Sequence, residues 1–414
     1  MNSFSFVFLA FLLCSLTLQY FLIRRHILYV ELHRNEVPKQ FLSKIDLIAH
    51  QKAADYTCAK ARFGLIELIL GTILLLVWTL GGGLNFLDML WHNSSFSSLW
   101  LDVGFILSVF IISSVLDLPT SLYSTFILEE KFGFNKTTKK IFMSDLSKNL
   151  GLMIILGTPM LALILWLMKN TGTLWWLYVW ITWFGFSLFM MWFYPAFIAP
   201  LFNKFKPLEN QELKSRVENL LDRNGFASQG IFIMDGSARS THGNAYFTGM
   251  GSNKRIVFFD TLIDDLTHQE IEAVLAHELG HFKCNHIKKR ITMTAIIFFI
   301  TFGVLGWLID KQWFYNGLGV DNVSTYMGLT LFMMVVPIFT FYLQPIFSYY
   351  SRLHEFEADD FAAKQVNSSC LIEALVKLYK ENANTLTPDP LYSAFHDSHP
   401  PAPIRIAQLS KNLS

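Results

Sequence analysis

Apolar residues fall in seven runs separated by polar stretches: 3–23, 64–81, 99–119, 150–168, 174–195, 292–308 and 326–348. A bilayer core about 30 Å thick needs roughly 20 apolar residues per helix, and no Lys or Arg stands inside any run. The pattern predicts seven membrane-spanning helices. The first run has the length of a secretory leader, but no basic residue precedes it and Arg24 and Arg25 follow it. That order is the reverse of a cleavable signal, so the helix is read as retained. Between the fifth and sixth runs the periodicity changes. Residues 208–224 repeat as an amphipathic helix closing on Asn224-Gly225. Residues 230–235, 244–248 and 255–260 read as short strands, with Gly249 to Asn253 as the turn joining the last two. Thr267-His268-Gln269-Glu270 fits the S/T-x-x-E capping box and opens a helix running to about residue 284. The tail from 349 to 414 is polar enough to fold in water.

Composition agrees with a membrane protein. Hydrophobic residues make up 52% and charged residues only 16%, against about 25% charged in soluble domains. A disordered chain would be polar and poor in aromatics, and aromatics are 15% here. A net charge of +1 leaves no nucleic-acid footprint. With four scattered cysteines and no CxxC, neither a disulfide framework nor a thiolate zinc site is indicated. All but two of the 33 Lys and Arg fall on one side of the seven-span arrangement; the exceptions are Lys169 and Lys311. The positive-inside rule then places the N-terminus outside and the C-terminus in the cytosol. Three acidic residues stand in or beside spans. Asp102 and Asp117 are read as interfacial, and for Glu67 an interface and a polar cavity inside the bundle both remain open.

The chemistry concentrates in the capped helix, which carries His277-Glu278-Leu279-Gly280-His281. Imidazoles at i and i+4 share one helical face and can reach a single cation, with Glu278 beside them to contact a bound water. In a chain of this composition H-E-x-x-H arises by chance on the order of 0.01 times. Zinc needs a third protein ligand and an open position. The metzincin spacing fails, because Cys284 and Ile287 stand where Gly and His are required. His286 is expected off the ligand face and solvated. Downstream, Glu355 and Asp359 are four residues apart on one helical face. Glu355 is the candidate third ligand, and Asp359 the acceptor that fixes the tautomer of a ligand histidine. Glu357 is expected to point elsewhere. Such a site supports peptide hydrolysis. A site-2-type protease with its motif buried in a span is disfavoured by the charges flanking residues 277–281. A transporter or receptor would leave the metal constellation unused.

These motifs resemble the CAAX prenyl protease type 1 family of integral-membrane zinc endopeptidases. The resemblance covers most of the chain: the seven spans, residues 117–138 (DLPTSLYSTFILEEKFGFNKTT), GNAYFTG (243–249), KRIVFFDTL (254–262), AHELGH (276–281), SRLHEFEAD (351–359), and SHPP followed by Arg405. It implies a mainly α fold, a seven-helix membrane bundle with a cytosolic α+β metalloprotease domain of gluzincin type. The bundle's first five helices would occupy 1–199, the metalloprotease part 200–291, spans six and seven 292–348, and a tail completing the site 349–414. It implies one Zn2+ per chain held by His277, His281 and Glu355, with Glu278 as general base and then acid. Asp359 would support a ligand, and Arg405 would lie near the site. Asn244 would lie on an edge strand that pairs with substrate backbone, and His399 would help hold the oxyanion. A large water-filled chamber within the bundle is a further implication. The implied substrate is a peptide or protein cleaved near its C-terminus, of prenylated CAAX type; the alternative is quality control of misfolded or stalled membrane proteins. Membrane lipid is the other expected partner. The tail ends LSKNLS without a KDEL-type signal, which tilts the expected location toward a bacterial inner membrane rather than the endoplasmic reticulum.

Overall fold

The structure, a computed structural model, describes residues 1–92, 97–226, 228–248 and 254–411. Seven of its helices are long and apolar enough to cross a membrane: Ser3–Leu32, Leu47–Trp78, Ser98–Phe132, Lys139–Asn170, Gly172–Phe202, His286–Leu308 and Thr325–Gln365. Six of them contain one apolar run each, and the second run, 64–81, extends three residues past its helix. Most continue past the run into polar sequence, because helical hydrogen bonds need no apolar surroundings once the helix is nucleated. The second span starts at Leu47, capped by the Asp46 carboxylate, which accepts the Ala49 N–H at 2.7 Å. The third carries Pro119 and then a π-helical turn over Ser124–Glu129. Further π turns interrupt the fourth and fifth spans at Met153–Gly157 and Tyr194–Ile198. Such turns widen a helix locally and often mark functional sites. Here Met153, Gly157, Tyr194 and Ile198 line a cavity of about 900 Å³ among spans three to seven. Its wall is overwhelmingly apolar, with Asp145, Asn149 and Thr301 among the polar exceptions.

Phe8, Phe105, Leu165, Leu305, Phe314 and Tyr315 are wholly buried in the bundle core. Asp102 is buried as well, paired with Lys169 rather than facing an open interface. The pairing offsets only part of its desolvation. Asp117 is exposed. Glu67 borders a smaller cavity of about 490 Å³ together with Ser15 and Gln19.

The polar part folds around a second core, in which Leu213, Leu220, Phe258, Leu275 and Leu279 are buried together. The expected helix at 208–224 spans Gln211–Arg223, capped by Asn210. Four short strands form one sheet: β1 Phe205–Pro207, β2 Ile231–Met234, β3 Ala245–Thr248 and β4 Arg255–Phe259. The spatial order is β1-β2-β4-β3. β2 and β4 run parallel, while β1 and β3 lie antiparallel at the two edges. β1 ends in Pro207 and had no alternating pattern to announce it; an edge position tolerates the missing N–H. The expected turn at 249–253 lies outside the described residues.

Candidate active site

The helix His268–Lys283 begins with the capping box the sequence implies. Thr267 N–H donates to the Glu270 carboxylate at 2.7 Å, and Glu270 N–H donates to the Thr267 hydroxyl at 3.4 Å. Lys377 anchors the same carboxylate at 2.7 Å. Burial pushes the Glu270 pKa up, but Lys377 and the Thr267 donors outweigh it and hold the group below the ordinary glutamate value. Ile271, Leu275 and Leu279 pack into the polar domain's core. That packing turns His277 and His281 toward the seventh span, which runs on as one helical segment through Gln365 and carries Glu355 and Asp359. Gly280 allows the two helices to touch. A Cβ there would stand 2.9 Å from Ala358 Cα and 3.0 Å from its carbonyl oxygen.

At this contact three ligand-type atoms, from His277, His281 and Glu355, lie within 4.8 Å of one another. The two Nε2 atoms face each other at 3.2 Å. Glu355 Oε1 is 3.2 Å from His281 Nε2, and Oε2 is 3.4 Å from His277 Nε2. The buried Oε2 lies 2.7 Å from His399 Nδ1 but makes no well-directed hydrogen bond. Two imidazoles and a carboxylate, with one buried carboxylate oxygen unsatisfied, fit a divalent cation of the zinc type. Glu278 follows His277 and is half-buried.

Supporting contacts surround this set. Asp359 Oδ1 is 2.8 Å from His277 Nδ1, which places the imidazole N–H on Nδ1 and turns Nε2 inward. Arg405, itself buried, grips Asp359 with both arms, Nη2 to Oδ1 at 2.6 Å and Nε to Oδ2 at 2.8 Å. Its Nη1 stands 3.6 Å from Glu355 Oε2. Burial and Arg405 both push the His277 pKa down, yet hydrogen bonds to Asp359 and Glu355 outweigh them and lift it to about 9. The pocket thus attracts positive charge at this imidazole. Asn244 immediately precedes β3, which ends the strand order and, among the described residues, pairs with no strand other than β4. Its own carbonyl accepts the Phe259 N–H at 2.9 Å, so it belongs to the sheet's hydrogen-bonded end.

His286 departs from expectation. It is 5% exposed, not solvated. Its Nδ1 is 3.0 Å from His281 Nδ1, its Nε2 is 2.8 Å from Glu357, and its ring stacks on His354 at 4.1 Å. The cause is Asn285, which adopts the left-handed conformation (φ 58°, ψ 26°) and turns the chain back so that the sixth span starts beside the active-site helix. Asn is among the residues that enter this region most readily, so the Cys284-Asn285-His286 sequence held the signal. Glu357 does point away from the ligand set, toward His286.

A HExxH helix closed by a glutamate from a membrane helix defines an integral-membrane metalloendopeptidase. Residues 26–204 match the profile described as the CAAX prenyl protease N-terminal, five membrane helices, and residues 207–413 match peptidase family M48. A CAAX prenyl protease 1 from Saccharomyces cerevisiae is 35% identical over 412 residues, covering 92% of this chain and 90% of the relative. A CAAX prenyl protease 1 homologue from Arabidopsis thaliana is 42% identical over 305 residues, covering 72% and 71%. The crystal structure of S. mikatae Ste24p superposes with a TM-score of 0.90 at 34% identity, over 99% of each chain. The chain belongs to the CAAX prenyl protease 1 family of M48 metallopeptidases.

Proposed function

We propose that this metalloendopeptidase is zinc-dependent and cleaves peptide bonds near the C-terminus of prenylated CAAX-type substrates. The catalytic side would face the cytosol, with the N-terminus outside. The observation that carries the reading is the convergence of His277, His281 and Glu355, with Asp359 bonded behind His277. These three residues would hold one Zn2+ per chain. When bound, zinc supplies Lewis-acid chemistry, acidifying a water toward a pKa of about 7 and polarising the scissile carbonyl.

Every other step belongs to side chains. Glu278, half-buried next to His277, takes the proton of the attacking water and returns it to the leaving amine. The free edge of β3 beside Asn244 pairs with an extended substrate backbone, aligning the scissile bond. His399, whose side chain is 64% exposed, donates to the developing oxyanion, a role worth about 3 kcal/mol. Asp359 and Arg405 hold the His277 tautomer and act through it. His286, with Glu357 behind it, does the same for His281. Its Nδ1 accepts the His281 N–H, leaving His281 Nε2 free for the metal.

The test is a pair of quenched CAAX peptides, one farnesylated and one not, incubated with the purified protein with and without a zinc chelator. Chelator-sensitive cleavage that favours the farnesylated peptide is the expected result. Cleavage that survives metal removal would discard the zinc reading, and equal cleavage of both peptides would discard the lipid preference.

A further inference from the structure

Beside the active site lies a second group of ligand-type atoms that peptide hydrolysis does not account for. A sulfur, a ring nitrogen and a carboxylate oxygen from Cys284, His286 and Glu357 lie within 4.8 Å of one another. The left-handed turn at Asn285 sets Cys284, the C-cap of the active-site helix, next to His286, the first residue of the sixth span. Glu357 closes the group from the extended seventh span. Stacking on His354 fixes the His286 ring, while Glu357 keeps about half its side chain in solvent. The group is therefore preorganised on one side and open to a cation on the other. Lys289 reaches Glu357 at 3.4 Å and is itself half-exposed, free to swing into water.

We propose that Cys284, His286 and Glu357 form a second, inhibitory site for a soft divalent cation such as Zn2+. One thiolate, one imidazole and one carboxylate is a set suited to Zn2+, Co2+ or Cd2+ and not to Mg2+. Inhibition follows from the proton inventory and rests on the reading that His281 is a catalytic ligand. With His281 Nε2 committed to the catalytic metal, its Nδ1 bears the hydrogen and donates to His286 Nδ1. His286 then carries its own hydrogen on Nε2, donating to Glu357. A cation bound through His286 Nε2 displaces that hydrogen to Nδ1, while the Cys284 thiol loses its proton to solvent as the sulfur–metal bond forms. Two N–H groups then confront each other 3.0 Å apart. The support of His281 is lost, and the first site weakens as the second fills.

The experiment uses the full-length protein in detergent, loaded with one equivalent of zinc. Added Co2+ should give a sulfur-to-cobalt charge-transfer band that saturates near one equivalent. Cys284→Ser should abolish it although Cys14, Cys58 and Cys370 remain. Added Zn2+ should inhibit cleavage in the wild type. In Cys284→Ser, basal activity should be kept and the half-inhibitory concentration should rise by at least about tenfold. Mg2+ should do neither. A missing band in the wild type, or a band or inhibition unchanged by Cys284→Ser, overturns the proposal. His277→Ala separates the two sites, since it should remove the first zinc by elemental analysis while keeping the cobalt–thiolate band. A first equivalent that survives His277→Ala would instead count against the catalytic-site reading alone.

Discussion

Glu278 adjoins His277 along the helix and Arg405 reaches the His277 ring at 3.3 Å, but the two should fail in different ways when replaced. Glu278 makes no contribution to the ligand set, so Glu278→Gln should retain about one zinc by elemental analysis while turnover falls by roughly 10²–10⁴. Wild-type turnover in that variant would remove Glu278 from the chemistry. Arg405 is buried and gives Asp359 two hydrogen bonds. Arg405→Ala leaves that carboxylate buried without its counter-charge, a loss of about 3–5 kcal/mol. Its thermal unfolding temperature should fall well below that of an exposed control such as Lys214→Ala. Glu270 carries a pH signature. Its pKa is lowered in the folded state, so its stabilisation is complete above the unfolded value of about 4.3 and disappears as pH falls through the lower folded value. The stability gap between wild type and Glu270→Gln should therefore be present at pH 7 and shrink below about pH 4.

At the scale of elements, the contact between the active-site helix and the seventh span depends on the absence of a side chain at Gly280. Gly280→Val should force the helices apart, with the nearest Ala358 backbone atom only 2.9 Å from a Cβ. Metal content and cleavage should fall together while helix content by circular dichroism stays near wild type. Metal content equal to wild type would show that the contact does not set the ligand geometry. The long apolar runs, the capping box at Thr267 and the i, i+4 pairs at 277/281 and 355/359 were all legible in the sequence, because each is a local periodicity with a direct geometric meaning. The polar continuations of the spans, the π turns and β1 were not, since packing rather than local pattern creates them. His286 was misjudged for a related reason. Spacing along a helix says nothing about a residue lying beyond the turn that ends it, and only Asn285 signals the reversal.

The two largest buried cores among the described residues, one among the spans and one beneath the sheet, are joined by the long seventh helix. The charge asymmetry predicts that Lys169 and Lys311 lie on the side opposite every other basic residue. Lys311→Cys, with the four native cysteines replaced, should react with a membrane-impermeant maleimide from outside intact cells or sealed right-side-out vesicles, and Lys214→Cys should react only after permeabilisation. The reverse pattern would invert the orientation.

Between His281 and Glu355 the chain runs through the sixth and into the seventh of the helices long and apolar enough to cross a membrane. During biosynthesis the two imidazoles would emerge first, and the carboxylate would join them only when the hairpin had threaded out and back. Loading of the proposed cation would thereby be a late event, conditional on completed insertion. Once seated, the proposed ion would be a clasp across that hairpin, so a chain with either crossing misplaced would be left without a functional centre.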